Sequence, residues 1–320
     1  MIIALFLPCF ENQTSVIANT LKAHLALLGA NLIYGFNYII AKGIMPHKIN
    51  ASAFVFIRLF CGTILFWIVK SAIKEKVAKK DMLRLVLCGL LGAAANQLLF
   101  FNGLSLTSPI DASIIMTSTP ILVLAFSALI LDERLTYFKL LGTMLAGVGA
   151  IVLIVHGNRS AGTSSLLGNM LVFLNATAYA LYLITVKPLM KKYNPLTLIS
   201  WVFLYGFIFM LPFGLPEIIT TSFKDFTIST ILAIGFVVVF TTFFAYLFNI
   251  YALKYVSPSV NSSYIYLQPV VNFVIVSVYA ALITNSVYSQ DIDIVKIMSC
   301  ILVITGVYLV SKTGRQKSLL

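Results

Sequence analysis

Residues 104–120 of this chain read LSLTSPIDASIIMTSTP, and residues 253–269 read LKYVSPSVNSSYIYLQP. Ser108-Pro109 followed by Pro120 in the first stretch matches Ser257-Pro258 followed by Pro269 in the second, both at an offset of 149. A repeat of this kind fixes the architecture before any single site is considered. Upstream, Tyr34, Asn37 and Lys42 correspond to Tyr179, Tyr182 and Lys187 at an offset of 145. Downstream, Gly142 and Gly149 correspond to Ser299 and Gly306 at 157, which implies an eight-residue insertion near Asn285–Asp293. The chain therefore reads as two copies of one unit.

Composition says what that unit is made of. Hydrophobic residues make up 60% of the 320 and charged residues only 10%, against roughly 25% charged in a soluble domain. Mean hydropathy is +1.00. A soluble core of this length cannot hide so much apolar surface, so lipid is the solvent for most of it. A membrane span needs about 20 largely apolar residues. Such runs fall at 23–41, 51–69, 83–104, 109–131, 137–156, 167–187, 196–215, 229–253, 258–283 and 294–311. The expectation is an all-α integral membrane protein of ten transmembrane helices, with short connections and antiparallel neighbours.

Five spans per unit is an odd number, so the second copy must enter the membrane from the opposite side. The expected organisation is a segment 1–22, a first five-helix repeat over 23–156, an inverted second repeat over 166–311, and a basic tail over 312–320. Inverted repeats are the plan of many secondary transporters, whose substrate sites lie near the midplane at the repeat interface. Met1 to Phe10 is apolar but lacks the basic start of a signal peptide, and it is too short to span.

Charge supplies the orientation. The net charge of +12 sits in short segments between apolar runs, densest from Lys70 to Arg84, which reads as a topology signal rather than a nucleic-acid face. With the N-terminus in the cytoplasm, 16 of the 22 Lys and Arg fall in inside connections and tails and 5 outside, leaving Arg58 within a span. That bias places both termini in the cytoplasm, with the chain in a plasma membrane of the bacterial inner-membrane type. Cys9, Cys61, Cys88 and Cys300 show no CxxC spacing, and His24, His47 and His156 are dispersed. No metal or cofactor is expected, and the partners expected are a small solute and the bilayer.

Several motifs carry a family resemblance. They are Tyr34-Gly35-x-Asn37, Phe56-Ile57-Arg58, Thr107-Ser108-Pro109 with Pro120, Leu131-Asp132-Glu133-Arg134-Leu135, Ala252-Leu253-x-Tyr255-Val256-Ser257-Pro258, Gln268-Pro269 and Gly306-Val307-Tyr308. Together they resemble the EamA family of the drug/metabolite transporter superfamily across about 23–311. The resemblance implies a ten-helix carrier that exports amino acids or other small metabolites, with helices of both halves around a central cavity. The second half departs from it, with Thr284 to Asp293 standing where the first has its acidic-Glu-Arg-Leu segment.

Polar side chains at bilayer depth tend to face a bundle interior or water, and helical spacing groups them into stripes. The first span offers Tyr34, Asn37 and Tyr38. The third offers Gly89, Gly92, Asn96, Phe100 and Gly103 with Gln97 beside them, and the sixth Asn175, Tyr179 and Tyr182. The eighth offers Thr242, Tyr246 and Asn249, and the ninth Asn261, Tyr264, Gln268 and Asn272. Asn37, Tyr38, Asn96, Gln97, Tyr182, Tyr246, Asn249, Tyr264, Gln268 and Asn272 are the expected substrate-binding set. The same groups serve equally well to tie helices together.

Arg58 either meets a substrate carboxylate through its fork or is structural, since the family resembled often carries Arg there whatever the substrate. Asp111 is either an N-terminal helix charge in water at the outer edge or a contact for a substrate amine. Pro120 and Pro269 break the helical ladder mid-span and are candidate hinges. The face of Gly142, Ala146 and Gly149 reads as close helix packing.

The leading reading is a carrier that exports small polar metabolites by alternating access. Uptake, or exchange of phosphorylated or nucleotide-linked solutes, calls for several inward-facing basic residues, and only Arg58 qualifies. A channel is the remaining alternative. A membrane enzyme needs clustered His, Asp or Glu or a Ser/Lys dyad within the spans, which is absent, so no catalytic residue is expected. Proton coupling usually needs an intramembrane carboxylate, and with Asp111 expected in water, exchange or facilitated diffusion is favoured.

Overall fold

A computed structural model describes residues 13–130, 165–256, 258–282 and 294–314, with scattered positions between 137 and 152. Every regular element described is helical, because lipid leaves no partner for unpaired backbone groups and a helix satisfies its own. Among the described residues, seven helices are long and apolar enough to cross a membrane. They are α1 (Gln13–Ile44), α2 (Ala51–Lys70), α3 (Lys79–Leu106), α4 (Pro109–Ile130), α5 (Leu166–Lys191), α6 (Pro195–Thr220) and α7 (Ile228–Tyr255). Two more, α8 (258–282) and α9 (Ile294–Gly314), coincide with the ninth and tenth expected spans. Most of the fifth expected span lies outside the described residues, as do Leu131–Leu135, the insertion near Asn285–Asp293, and Ser257. Gly142 and Gly149 are buried, as close packing requires, while Ala146 lies outside the described residues. α1 begins at Gln13, ten residues before the expected start at 23.

The helices start where the sequence supplies caps. Asn50 accepts from Ser52 N, Ser108 from Asp111 N, Ser165 from Gly168 N, and Asn194 from Leu196 N. Each satisfies a backbone donor the first turn leaves open. Pro109 and Pro195 stand just behind their caps, where a missing N–H costs nothing.

Both candidate hinges sit just beyond a break. α4 runs as Pro109–Met116 and resumes at Thr119–Ile130, with Pro120 second in the new segment. α8 runs as Pro258–Ser263, passes through a 3₁₀ turn at Tyr264–Tyr266, and resumes at Leu267–Leu282, with Pro269 third. Proline lacks the donor for the preceding turn and crowds its carbonyl. At the first break, Thr117 and Ser118 turn their hydroxyls back to Ile114 O and Ile115 O, at 2.5 and 2.7 Å. Two further helices widen instead of breaking. α3 contains a π-helical stretch at Leu90–Ala94 and α7 one at Val237–Phe244.

Packing follows one pattern: exchange the halves and the main contacts find their counterparts. α3 packs on α5 as α7 packs on α1, and α4 on α5 as α8 on α1. α3 meets α6 as α7 meets α2, while α2 and α6 pack on each other. The α3–α5 crossing is close enough to need glycine. A Cβ on Gly103 would lie 2.9 Å from Gly168 O, and one on Gly168 2.8 Å from the backbone carbon of Leu106.

The hydrogen bonds fix direction. Lys42, at the end of α1, donates to Leu104 O and Ser105 O at the end of α3 (2.9 and 2.8 Å), and Ser165 N, just before α5, donates to Leu106 O. At the other end, Lys187 of α5 donates to Leu253 O and Val256 O of α7 (2.6 and 2.7 Å). Ala252 and Val256 there pack against Ala23 and Leu27 near the start of α1. So α5 starts where α1 ends and ends where α1 starts. The two run in opposite directions.

Candidate functional site: a central polar cavity

Where the two sets of helices meet, a cavity opens with a volume of about 70 Å³. That holds several water molecules and falls well short of the roughly 300–1,000 Å³ of sites that engulf drug-sized ligands. α1 contributes Asn31, Tyr34, Asn37 and Tyr38, α2 contributes Arg58, and α3 contributes Asn96, Gln97, Phe100 and Phe101. Met116 comes from the break in α4 and Ile265 from the break in α8, beside Gln268. α5 adds Asn175 and Tyr179, and α7 adds Thr241, Tyr246 and Asn249.

These groups line space and tie helices at once. Tyr38 donates its hydroxyl to Gln268 Oε1 at 2.8 Å, and Gln268 Nε2 donates to Asn31 Oδ1 at 2.7 Å, which locks α8 to α1. Asn175 Nδ2 donates to Asn96 O at 2.6 Å, and the Tyr246 hydroxyl to Asn96 Oδ1 at 3.1 Å. Asn249 Nδ2 bonds Ala245 O at 3.0 Å and approaches the Tyr34 hydroxyl at 3.5 Å. Asn37 Oδ1, Asn175 Oδ1 and Thr241 Oγ1 are buried with no protein hydrogen-bond partner among the described residues. Buried polar atoms are costly without a partner, so these three call for water or solute.

Of the expected binding set, Asn37, Tyr38, Asn96, Gln97, Tyr246, Asn249 and Gln268 share this cavity, joined by Arg58. Three others do not line it. Tyr182 turns to α3, where its ring fills the space that a side chain at Gly92 would need. Tyr264 bonds His24 Nδ1 at 2.7 Å, near the start of α1. Asn272 Nδ2 donates to Pro109 O and Ser113 Oγ at 2.5 and 3.1 Å, fastening α8 to the start of α4.

The stripe on α3 also divides. Asn96, Gln97 and Phe100 face the cavity, whereas Gly89 admits Tyr205 and the α6 backbone and Gly103 admits α5. The placement of Asp111 in water is overturned: it is 0% exposed, with its backbone N–H on Ser108 Oγ, and it does not line the cavity.

Two polar lining residues fall outside the stripes drawn from sequence. Asn31 continues the α1 stripe one turn back, three residues before Tyr34, and that spacing is a sufficient signal for it. Thr241 escapes in favour of Thr242 because regular spacing fails across the π-helical stretch. Thr242 Oγ1 instead donates to Val237 O, five residues back, at 2.9 Å and accepts from Arg58 Nε at 2.8 Å. Phe101, Met116 and Ile265 are apolar and carry no signal of their own.

A second polar cluster joins the α2–α3 connection and the first turn of α3 to the connection between α5 and α6. Asp81 accepts from Lys192 Nζ at 2.9 and 3.1 Å and from the Tyr193 hydroxyl at 2.8 Å, while Glu75 accepts from Asn194 N at 3.0 and 3.2 Å. Lys192 is half exposed, so the pair adds little stability.

A multi-pass helical membrane protein with a polar cavity between two like halves has the form of a carrier of small solutes. The sequence pattern of the EamA-like transporter family matches residues 21–155 and again 166–312, and the chain belongs to that family. Among its relatives, the uncharacterized transporter YyaM of Bacillus subtilis (strain 168) is 24% identical over 90% of this chain and 92% of its own length. An uncharacterized transporter of Archaeoglobus fulgidus is 30% identical over 74% of this chain and 80% of its own. A protein of Streptantibioticus cattleyicolor named "Probable terminal-alkyne amino-acid exporter" is 29% identical over 42% of this chain and 44% of its own. A solved crystal structure superposes with a TM-score of 0.61 over 95% of this chain and 99% of its own at 17% identity, a likeness of fold.

Proposed function

We propose that the protein is a ten-helix secondary transporter that exports small polar metabolites, amino acids among them, by alternating access. The carrying observation is the cavity itself, lined by polar side chains from both halves. The opposed directions of α1 and α5 and the exchangeable contacts support two inverted five-helix repeats, 23–156 and 166–311. The breaks ahead of Pro120 and Pro269 supply paired hinges, each placing one apolar residue, Met116 or Ile265, on the cavity wall. A name mentioning amino-acid export on a partial relative supports the substrate class. Lys42 and Lys187 are spent on helix ends rather than loops, and leaving both out still keeps 15 basic residues inside against 4 outside. That supports cytoplasmic termini in a bacterial inner membrane.

Purified protein in liposomes loaded with single amino acids or small metabolites is expected to accumulate the matching radiolabelled solute by counterflow. Uptake no faster than in empty liposomes across the whole panel would sink the carrier reading. Reporter fusions after Lys312 and within Lys70–Arg84 are expected on the cytoplasmic side, and one at Ala161–Ser165 outside. Termini on opposite faces would remove the inverted repeat.

A further inference from the structure

Among the described residues, Arg58 is the one charged residue on the cavity wall, and it is 2% exposed. Its Nε donates to Thr242 Oγ1 at 2.8 Å, and its guanidinium carbon lies 4.3 Å from the centre of the Phe101 ring. Thr242 holds this pose firmly, because its own proton is already committed to Val237 O. The ring covers one face of the guanidinium. The two terminal nitrogens have no protein acceptor among the described residues, and no described acidic residue lies within ion-pair distance. A buried cation with neither counter-ion nor acceptor for its fork is costly. The phenols of Tyr34 and Tyr246 stand at right angles nearby, ring centres 6.3 Å apart, and bring no charge to balance it.

We propose, resting on the carrier reading above, that Arg58 receives the carboxylate of a small monocarboxylic solute, an α-amino or α-hydroxy acid. A guanidinium fork matches a planar carboxylate with two parallel bonds. A single buried cation balances one negative charge, so a phosphate with its second charge is a poor fit. Elsewhere on the wall the solute meets no carboxylate, since none of the described lining residues carries one. It meets the unpartnered carbonyl oxygens of Asn37 and Asn175, which accept from an ammonium or a hydroxyl alike. The site therefore demands the acid group and tolerates either donor beside it. Amines that lack a carboxylate are excluded.

The test uses matched pairs on the purified full chain: alanine against alaninamide, and lactate against lactamide. Heat protection in detergent reads binding, and counterflow in liposomes reads transport. The acids are expected to bind and the amides not. Arg58→Gln is expected to weaken acid binding about tenfold or more, the scale of lost hydrogen bonds to a charged group. Arg58→Lys keeps the charge without the fork and is expected to fall between. Thr242→Val, which leaves the cation in place but frees its Nε, is expected to narrow the preference for acid over amide, and Thr242→Ser to restore it. This variant keeps the question open to test if Arg58→Gln does not fold.

The proposal is overturned if amides bind as well as acids, if Arg58→Gln leaves acid binding intact, or if no acid binds at millimolar concentration. Neutral or cationic solutes that exchange regardless of Arg58 overturn it while leaving the carrier standing. Acid binding without counterflow leaves the Arg58 site standing and removes the carrier.

Discussion

Lys42 in the first half and Lys187 in the second are used alike. Each closes its helix by donating to two carbonyls at the end of a neighbouring helix, Leu104 and Ser105 in one case, Leu253 and Val256 in the other. Asn50 and Asn194 each cap the helix that follows. The π-helical stretches of α3 and α7 and the breaks of α4 and α8 also pair. Apart from Tyr34 and Tyr179, the lining does not keep its residue types. At the offset of 149, Gln97 stands where the second half has Tyr246, Phe100 where it has Asn249, and Met116 where it has Ile265. Arg58 and the buried Asp111 belong to the first half alone, with Val260 at the position matching Asp111. Duplication preserves the bonds that hold helices in register, because losing any one leaves backbone groups bare in lipid. It leaves the wall free to diverge, and an asymmetric wall suits an asymmetric solute.

The sharpest test of equivalence removes both lysines. Lys42→Met and Lys187→Met each strip an ammonium from two carbonyls, and each is expected to cost about 1.5–3 kcal/mol, the range for hydrogen bonds to charged groups. The sites are far apart, so the double variant should be near additive. Melting in detergent measures it. A large loss at one lysine and none at the other would break the comparison.

A smaller effect separates the halves at a matched crossing. Gly103 lets α3 touch α5, whereas its counterpart Ala252, where α7 meets α1, already carries a Cβ. Gly103→Ala pushes a methyl against backbone that cannot yield, and a loss of about 1–3 kcal/mol is expected. Ala252→Gly should cost about 1 kcal/mol through helix propensity. Equal losses would mean that the two crossings are packed alike after all.

How far the sequence can be read depends on whether the helix stays regular. The two-fold plan is legible from Ser-Pro pairs and lysines, because the bonds they make are local. The cavity is legible on α1 and α3, where Asn37, Tyr38, Asn96 and Gln97 hold their spacing. On α8 the stripe from Asn261 to Asn272 crosses a 3₁₀ turn at Tyr264–Tyr266, so of its residues Gln268 alone lines the cavity. On α7 the wide turn exchanges Thr241 for Thr242. Tyr182 shows a different limit: it is buried, as its stripe implies, but periodicity does not say which neighbour a face meets. Asp111 reads from sequence as water-exposed because it follows a proline near a span end, and its burial comes from α8 lying against that end through Asn272.

Asp111 gives the smallest expected effect and the finest distinction between the halves. It stands in the first turn of α4, three residues after its cap, where a negative charge meets the positive end of the helix dipole. Asp111→Asn keeps the shape and removes the charge, and a loss of about 0.3–2 kcal/mol is expected from the dipole alone. Counterflow of solute should persist, because Asp111 does not line the cavity. A melt combined with lumenal pH recording in liposomes separates the two roles. If the variant melts as expected and solute still exchanges, Asp111 is a helix-end charge that the second half dispenses with at Val260. If instead wild type moves protons in step with solute and the variant does not, the first half carries the coupling group as well as Arg58. The asymmetry between the halves would then extend from the cavity wall to the energetics of transport.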